Sequence, residues 1–181
     1  MNTSRKLQGF TAIELMVVVV ITAVLVMIAA PSFQSVFDRQ RVRSAASTLN
    51  ADIQFARSEA VRLNAPVTVS FSATTTPWCY GVVSGTVACD CATAGSCNLK
   101  TVSGADFRDV SMNLTGGTGF TIDPRQGGVA AIAGGGSGTV TTVVAFSSTT
   151  TPAAQLQSQL NSLGRVLQCS PGGTLSGHPA C

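Results

Sequence analysis

The sequence predicts an α+β protein, in which one long N-terminal helix packs on an antiparallel β-sheet head. Three observations carry this. Residues 10–30 are 21 positions interrupted by a single charge, Glu14. Residues 42–63 then bring apolar side chains at alternating steps of four and three, the period of a helix with one buried face. From Val67 onward the period falls to two, the signature of strands, in a stretch rich in Gly, Ser and Thr.

At about 1.5 Å per residue, a helix over 10–30 spans roughly 30 Å, the thickness of a bilayer core. Arg5 and Lys6 precede it, and no acid comes before Glu14. The positive-inside rule then keeps the N-terminus in the cytoplasm and exports the rest of the chain. Glu14 stands apart. A lone carboxylate in an apolar helix costs about 2.5 kcal/mol or more, which marks it as a functional residue in need of a cationic partner. The run itself offers none. Were the chain cut after Gly9, the new α-amino group of Phe10 would lie about one helical turn from Glu14. Two staggered chains could then pair the Glu14 of one with the amine of the other. A secretory signal peptide would be cut near Ala29-Ala30, but Pro31 follows directly and Glu14 is foreign to such a segment. A plain membrane anchor explains neither Gly9 nor Glu14.

The second half of the helix carries the stripe Val42, Ala46, Leu49, Ile53, Ala56, Ala60 and Leu63. Its alanines admit close approach of a sheet. Arg41, Arg43, Asp52, Arg57, Glu59 and Arg62 fall on the opposite side. The cluster Asp38–Arg43 reads as a solvated collar outside the bilayer or as a contact with a neighbouring subunit. Pro31 removes one backbone donor and predicts a kink or a loosening. Pro66 predicts that the helix stops near Leu63-Asn64.

The head comes next. Val67, Val69 and Phe71 alternate with Thr68 and Ser70 as a strand. Trp78–Val83 and Thr86–Cys89 flank Ser84-Gly85 and read as a hairpin. Further strands are expected at Val110–Leu114, Phe120–Ile122, Thr139–Phe146, and Ala154–Leu160 with its partner Arg165–Gln168. Gly116-Gly117 and Ser147–Pro152 read as loops, and the glycine-rich stretch Gly127–Gly138 reads as a mobile one.

Charged residues make up 10% of the chain and the formal net charge is +3. Without Arg5 and Lys6 this falls to about +1. From Pro66 onward Lys100, Arg108, Arg125 and Arg165 balance Asp90, Asp106, Asp109 and Asp123. A neutral head excludes a broad nucleic-acid surface. Six cysteines, Cys79, Cys89, Cys91, Cys97, Cys169 and Cys181, predict disulfides in an oxidising compartment. Fifteen pairings are open. Spacing favours Cys169 with Cys181, and Cys91 with Cys97 and Cys79 with Cys89 would each close a short loop. A tetrahedral metal set is not written here: Cys89-Asp90-Cys91 and the distant His178 do not supply one. Nor is an enzyme. His178 is the single histidine and sits in the tail, the aspartates are scattered singly, and Gly134-Gly135-Gly136 lacks the Lys and helix of a phosphate loop. No cofactor is expected.

The segment Gly9-Phe10-Thr11-Ala12-Ile13-Glu14-Leu15-Met16-Val17-Val18 resembles the prepilin processing motif of type IV pilins and type II secretion pseudopilins. Residues 56–62, Asn64, Pro66–Val69 and Trp78, then Phe120–Arg125 with Gly127, then Gly164-Arg165-Val166 with Cys169, are similar to the GspH/FimT group. The resemblance is weak over 85–115 and 127–155. It implies a pilin fold in which 1–9 is a cleaved leader, 10–30 the membrane and filament-core helix, 31–64 its amphipathic continuation and 65–181 the β-rich head. It also implies cleavage after Gly9 by a prepilin peptidase that then N-methylates Phe10, a registering role for Glu14, and local helix melting at Pro31 during assembly. The resulting expectation is a minor, accessory subunit of a type IV pilus. It would lie in the inner membrane with its head in the periplasm and then join the pilus with other minor and major pilins. The C-terminal cysteine and the Gly-Arg turn favour this over a GspH-like pseudopilin of type II secretion. Some members of the group bind DNA through Gly-Arg-x-Arg. Here Gly164 and Arg165 match, but Leu167 stands at the second arginine position, so any DNA contact rests on one cation.

Overall fold

The computed structural model describes residues 11–74, 77–125, 127–131, 140–151, 154–173 and 175–181. Gly9 and Phe10 lie outside the described residues. The chain forms two compact units, the first ending at Phe37 and the second running from Asp38 to Cys181.

Helix α1 spans Ala12–Leu63 and continues through position 31. Its start is written in Thr11-Ala12-Ile13-Glu14. The Thr11 hydroxyl accepts from the Glu14 amide at 3.3 Å, and the Thr11 carbonyl accepts from the Leu15 amide at 3.2 Å. This is the threonine half of a capping box, with the acid placed where the helix dipole favours it. The end falls where Pro66 predicts. Asn64 takes a left-handed φ of 47°, and the Asn64 and Ala65 amides return to the carbonyls of Val61 and Ala60, each at 3.2 Å. That is a Schellman stop with Asn in the usual glycine place.

In the first unit the apolar side chains from Ile13 to Met27 are exposed. Among the described residues no helix is long and apolar enough to cross a membrane. The apolar run read from the sequence opens at Phe10, outside the described residues.

In the second unit Val42, Ala45, Ala46, Leu49, Ile53, Ala56 and Ala60 are buried as one stripe. Leu63, expected to extend it, is 37% exposed, because it is the last helical residue before the chain reverses at Asn64. Among the described residues nine strands form two sheets, where the sequence predicted one. The first contains β1 (Val67–Ser72), β2 (Cys79–Ser84), β3 (Lys100–Ser103), β5 (Gly119–Ile122) and β6 (Val129–Ala131), in the order β3-β2-β1-β5-β6. The second contains β4 (Val110–Thr115), β7 (Val140–Ser148), β8 (Gln155–Asn161) and β9 (Val166–Cys169), in the order β4-β7-β8-β9. Every pairing between these strands is antiparallel.

Two expectations are corrected. β2 does not turn into Thr86–Cys89; it pairs with β3, and the chain between them folds back over the outer face of the first sheet. Ser70 Oγ donates to the Cys89 carbonyl at 2.7 Å, and a β-carbon on Gly81 would strike the sulfurs of Cys97 and Cys89. Small residues at these outward positions make the cover possible. The glycine-rich stretch also yields a strand: Val129–Ala131 pairs with Phe120–Ile122. Val129–Ala131 stand among glycines that read as a loop, and residues 132–138 of the stretch lie outside the described residues.

The core joins the layers. Trp78 packs on Tyr80, Phe107 and Phe146, with ring centroids 6.5, 5.7 and 5.5 Å away. Its indole N–H donates to the Val110 carbonyl at 2.7 Å, so the edge of the second sheet is tied to the first.

Candidate functional site

Three constellations carry charge or special backbone geometry. The first is Glu14, exposed in the opening turn of α1. Its amide caps on Thr11, and no side-chain partner reaches its carboxylate among the described residues. Exposed apolar side chains follow it for more than three turns. Single exposed apolar residues are ordinary, but a continuous surface of this kind marks a membrane or protein contact.

The second lies where α1 enters the head. Asp38, read from the sequence as part of a solvated collar, is instead 1% exposed. Its Oδ2 accepts from Thr150 Oγ1 and Thr151 Oγ1, both at 2.7 Å. Its Oδ1 faces Arg41 Nη1 at 3.3 Å, and Arg41 reaches on to Asp109 at 2.8 Å. The two threonine hydroxyls, opposed in part by burial and helped by Arg41, hold the Asp38 carboxyl below the usual carboxylate range. One turn of chain is thereby fastened to the helix. Farther along the helix, Asp52 is also buried, at 4% exposed. It accepts from Tyr80 Oη at 2.8 Å and from Lys100 Nζ at 2.5 Å. Burial and the Asp52 carboxylate push the Tyr80 phenol far up. Spacing along α1 put Asp52 on the polar side; the packed face is wider than the seven-residue stripe, and Lys100 and Tyr80 supply the buried acid with partners.

The third is the β8–β9 turn, where Gly164 and Arg165 were expected. Gly164 is buried with φ +77°. Its amide donates to the Asn161 carbonyl at 2.8 Å, and Asn161 Oδ1 accepts from the Arg165 amide at 2.7 Å. Arg165 is exposed. Behind the turn stands Arg57 of α1, placed by its sequence spacing on the polar side. Its Nε and Nη2 are buried and hydrogen-bond to nothing among the described residues. Burial pulls this guanidinium below the ordinary arginine range, although an arginine stays charged.

The cysteines pair as Cys79–Cys91, Cys89–Cys97 and Cys169–Cys181. The last is the pair that spacing favours; the other two differ from the nearest-neighbour loops, because the connection crosses itself over Ser70 and Gly81. The C-terminal staple holds a tail in which Leu175 is wholly buried, and Arg43 Nη2 donates to the Ser176 carbonyl at 2.6 Å. His178 is half-buried in that tail. Among the described residues no group of His, Cys, Asp or Glu is arranged to hold a metal ion.

A family model described as "Type II transport protein GspH" matches residues 45–164. No curated protein matches the chain. Among solved structures, the type IV minor pilin FimU of Pseudomonas aeruginosa is similar in fold. The TM-score is 0.52 at 19% sequence identity, over 76% of this chain and 98% of that one.

Proposed function

The chain belongs to the GspH family, and from that premise we propose that it is a minor subunit of a type IV pilus, built into a tip or initiation complex through its N-terminal helix. Prepilin peptidase cleaves after Gly9 and N-methylates Phe10. Residues 10–30 hold the subunit in the inner membrane with its head in the periplasm until it is drawn into the filament, and Pro31 marks where α1 loosens on the way. Glu14 then pairs with the terminal amine of an adjacent subunit, which sets the stagger.

The observation that carries this reading is Glu14 itself. It is an acid with no side-chain partner among the described residues, at the head of a helix whose apolar surface is exposed. A neighbouring helix end supplies both the cation and the cover. The acids of the head support a structural role. Asp38, Asp52 and Asp109 tie α1 to the strands, and Asp90 and Asp123 close local turns.

The test is Glu14→Ala in the native host. Processing should remain intact while the amount recovered with sheared pili and co-purifying minor pilins falls by about tenfold or more. Normal recovery would sink the assembly role of Glu14. A second reading has its own support, since the matching family model is described by type II transport: a pseudopilin of a secretion system. Recovery of the chain with secretion pseudopilins rather than with pili would establish it. DNA capture through Gly164 and Arg165 is the third reading and has the least support, because one exposed cation on a neutral head neutralises one phosphate.

A further inference from the structure

We infer that the tip of the β8–β9 hairpin, with Arg57 behind it, is a docking surface for a neighbouring protein subunit that presents a carboxylate flanked by apolar side chains. The inference rests on the subunit reading above.

Arg57 is the starting point. Two of its three guanidinium nitrogens are buried without an acceptor, and it forms no ion pair among the described residues. Arg57 as a whole is half-buried, so the cation keeps part of its water, but its two buried nitrogens lack the partners that burial demands. The clasp around it is nevertheless well made. Gly164 lets the turn come close enough that a β-carbon there would sit 2.6 Å from Arg57 Nη2. The Val129 amide donates to the Ser162 carbonyl at 2.9 Å, which ties the turn after β5 to the turn after β8. The acid on the former turn, Asp123, accepts from the Arg125 amide at 2.8 Å.

Arg165, the residue after Gly164, adds a second guanidinium that is exposed and has no ion-pair partner among the described residues. Two large apolar side chains flank it in sequence: Leu163 is 77% exposed and Leu167 is 56% exposed. Gln168 turns toward α1, where its Nε2 donates to the Ala46 carbonyl at 3.0 Å. Strand alternation therefore aims Leu167 away from the helix.

The mixture decides the class of partner. A polyanion is gathered by many cations acting together, and the head from Pro66 onward carries four against four acids. Phosphates also gain nothing from exposed leucines. An interface core enriched in arginine and apolar contacts is the pattern of protein association, and a carboxylate matches a guanidinium in a paired, directional way.

The test uses the full chain in its own cells, with a photo-cross-linking benzoylphenylalanine replacing Leu163 and, separately, Val87, an exposed site on the β2–β3 connection. Adducts are identified by mass spectrometry in the fraction where the chain is assembled. The expected result is an adduct from position 163 to a segment containing Asp or Glu on another subunit with the same kind of N-terminal motif. Arg165→Glu, at an exposed position, and Arg57→Gln should each lower its yield by about tenfold or more while leaving the Val87 result unchanged. A nuclease-sensitive adduct would make the surface a nucleic-acid site and overturn the inference. So would an assembled chain with no adduct at position 163, which leaves the subunit reading standing. Absence of the chain from any such assembly would remove both.

Discussion

A β-carbon placed on Gly164 would lie 2.6 Å from Nη2 of Arg57. The same β-carbon would lie 2.8 Å from the Gly127 carbonyl oxygen; backbone yields less readily than the end of an arginine, so this contact reserves the place for a residue without a side chain, and the turn's φ of +77° asks for the same residue independently. Gly164→Ala should destabilise the protein by about 1–3 kcal/mol, through backbone strain plus the clash. Gly177, at φ +88° with open space around it, offers the comparison: alanine there meets the strain alone, about 1 kcal/mol. Urea unfolding of the full chain in detergent reads both. Equal midpoints for the two variants would show that the turn moves off Arg57 without penalty.

Asp38 gives the head a dependence on acid. Its folded carboxyl is held below its unfolded value by the hydroxyls of Thr150 and Thr151. A depressed folded pKa contributes stability at pH values above the unfolded carboxylate range, about 4, and that stability is lost as pH falls through the folded pKa. Asp38→Asn should lower the melting temperature at pH 7, and its deficit against the parent chain should shrink steadily below about pH 4. A deficit that stays constant down to pH 2 would mean that the ionised form of Asp38 contributes nothing.

Tyr80 and Lys100 converge on Asp52. Tyr80→Phe removes one hydrogen bond and leaves the carboxylate with Lys100, a loss of about 1–2 kcal/mol. Asp52→Ala also leaves the buried phenol unsatisfied, and should cost about 2–4 kcal/mol. If the double variant costs no more than Asp52→Ala alone, the two side chains act as one unit; strict additivity would contradict the geometry.

Non-reducing peptide maps should recover Cys79–Cys91, Cys89–Cys97 and Cys169–Cys181 and no others. Replacing Cys169 and Cys181 together by serine opens a loop of 12 residues, worth about 2–3 kcal/mol. Because the tail buries Leu175 and holds Arg43, amide exchange should rise around Val42–Leu49 of α1. Unchanged exchange there would show that the tail grips the helix without its staple.

Much of the fold was legible in the sequence because it is local. The helix announces itself through steps of three and four, its stop through Asn64 and Pro66, β1 and β8 through alternation, β4, β5 and β7 as short runs between turn residues, and β9 as the return strand of β8. Cys169 and Cys181 lie 12 apart, near enough in the chain to be guessed as a pair. β6 was missed because its three residues stand in a glycine-rich stretch that reads as a loop, and β3 because it meets β2 only through pairing across a long connection.

Along the chain, residue type and spacing by themselves determined the α+β class, the motif from Gly9 to Glu14 and the neutrality of the head. Each of these is a property of neighbours or of a sum. Tertiary structure alone decided what lies opposite what. Thr150 and Thr151 reach Asp38 across 112 and 113 positions, Lys100 reaches Asp52 across 48, and Cys89 passes Cys91 to join Cys97. Arg57 likewise meets Gly164 only in the folded head. A charged residue looks the same in sequence whether solvent or a buried partner receives it. The difference is made by desolvation and packing, which exist only once distant strands have closed on the helix.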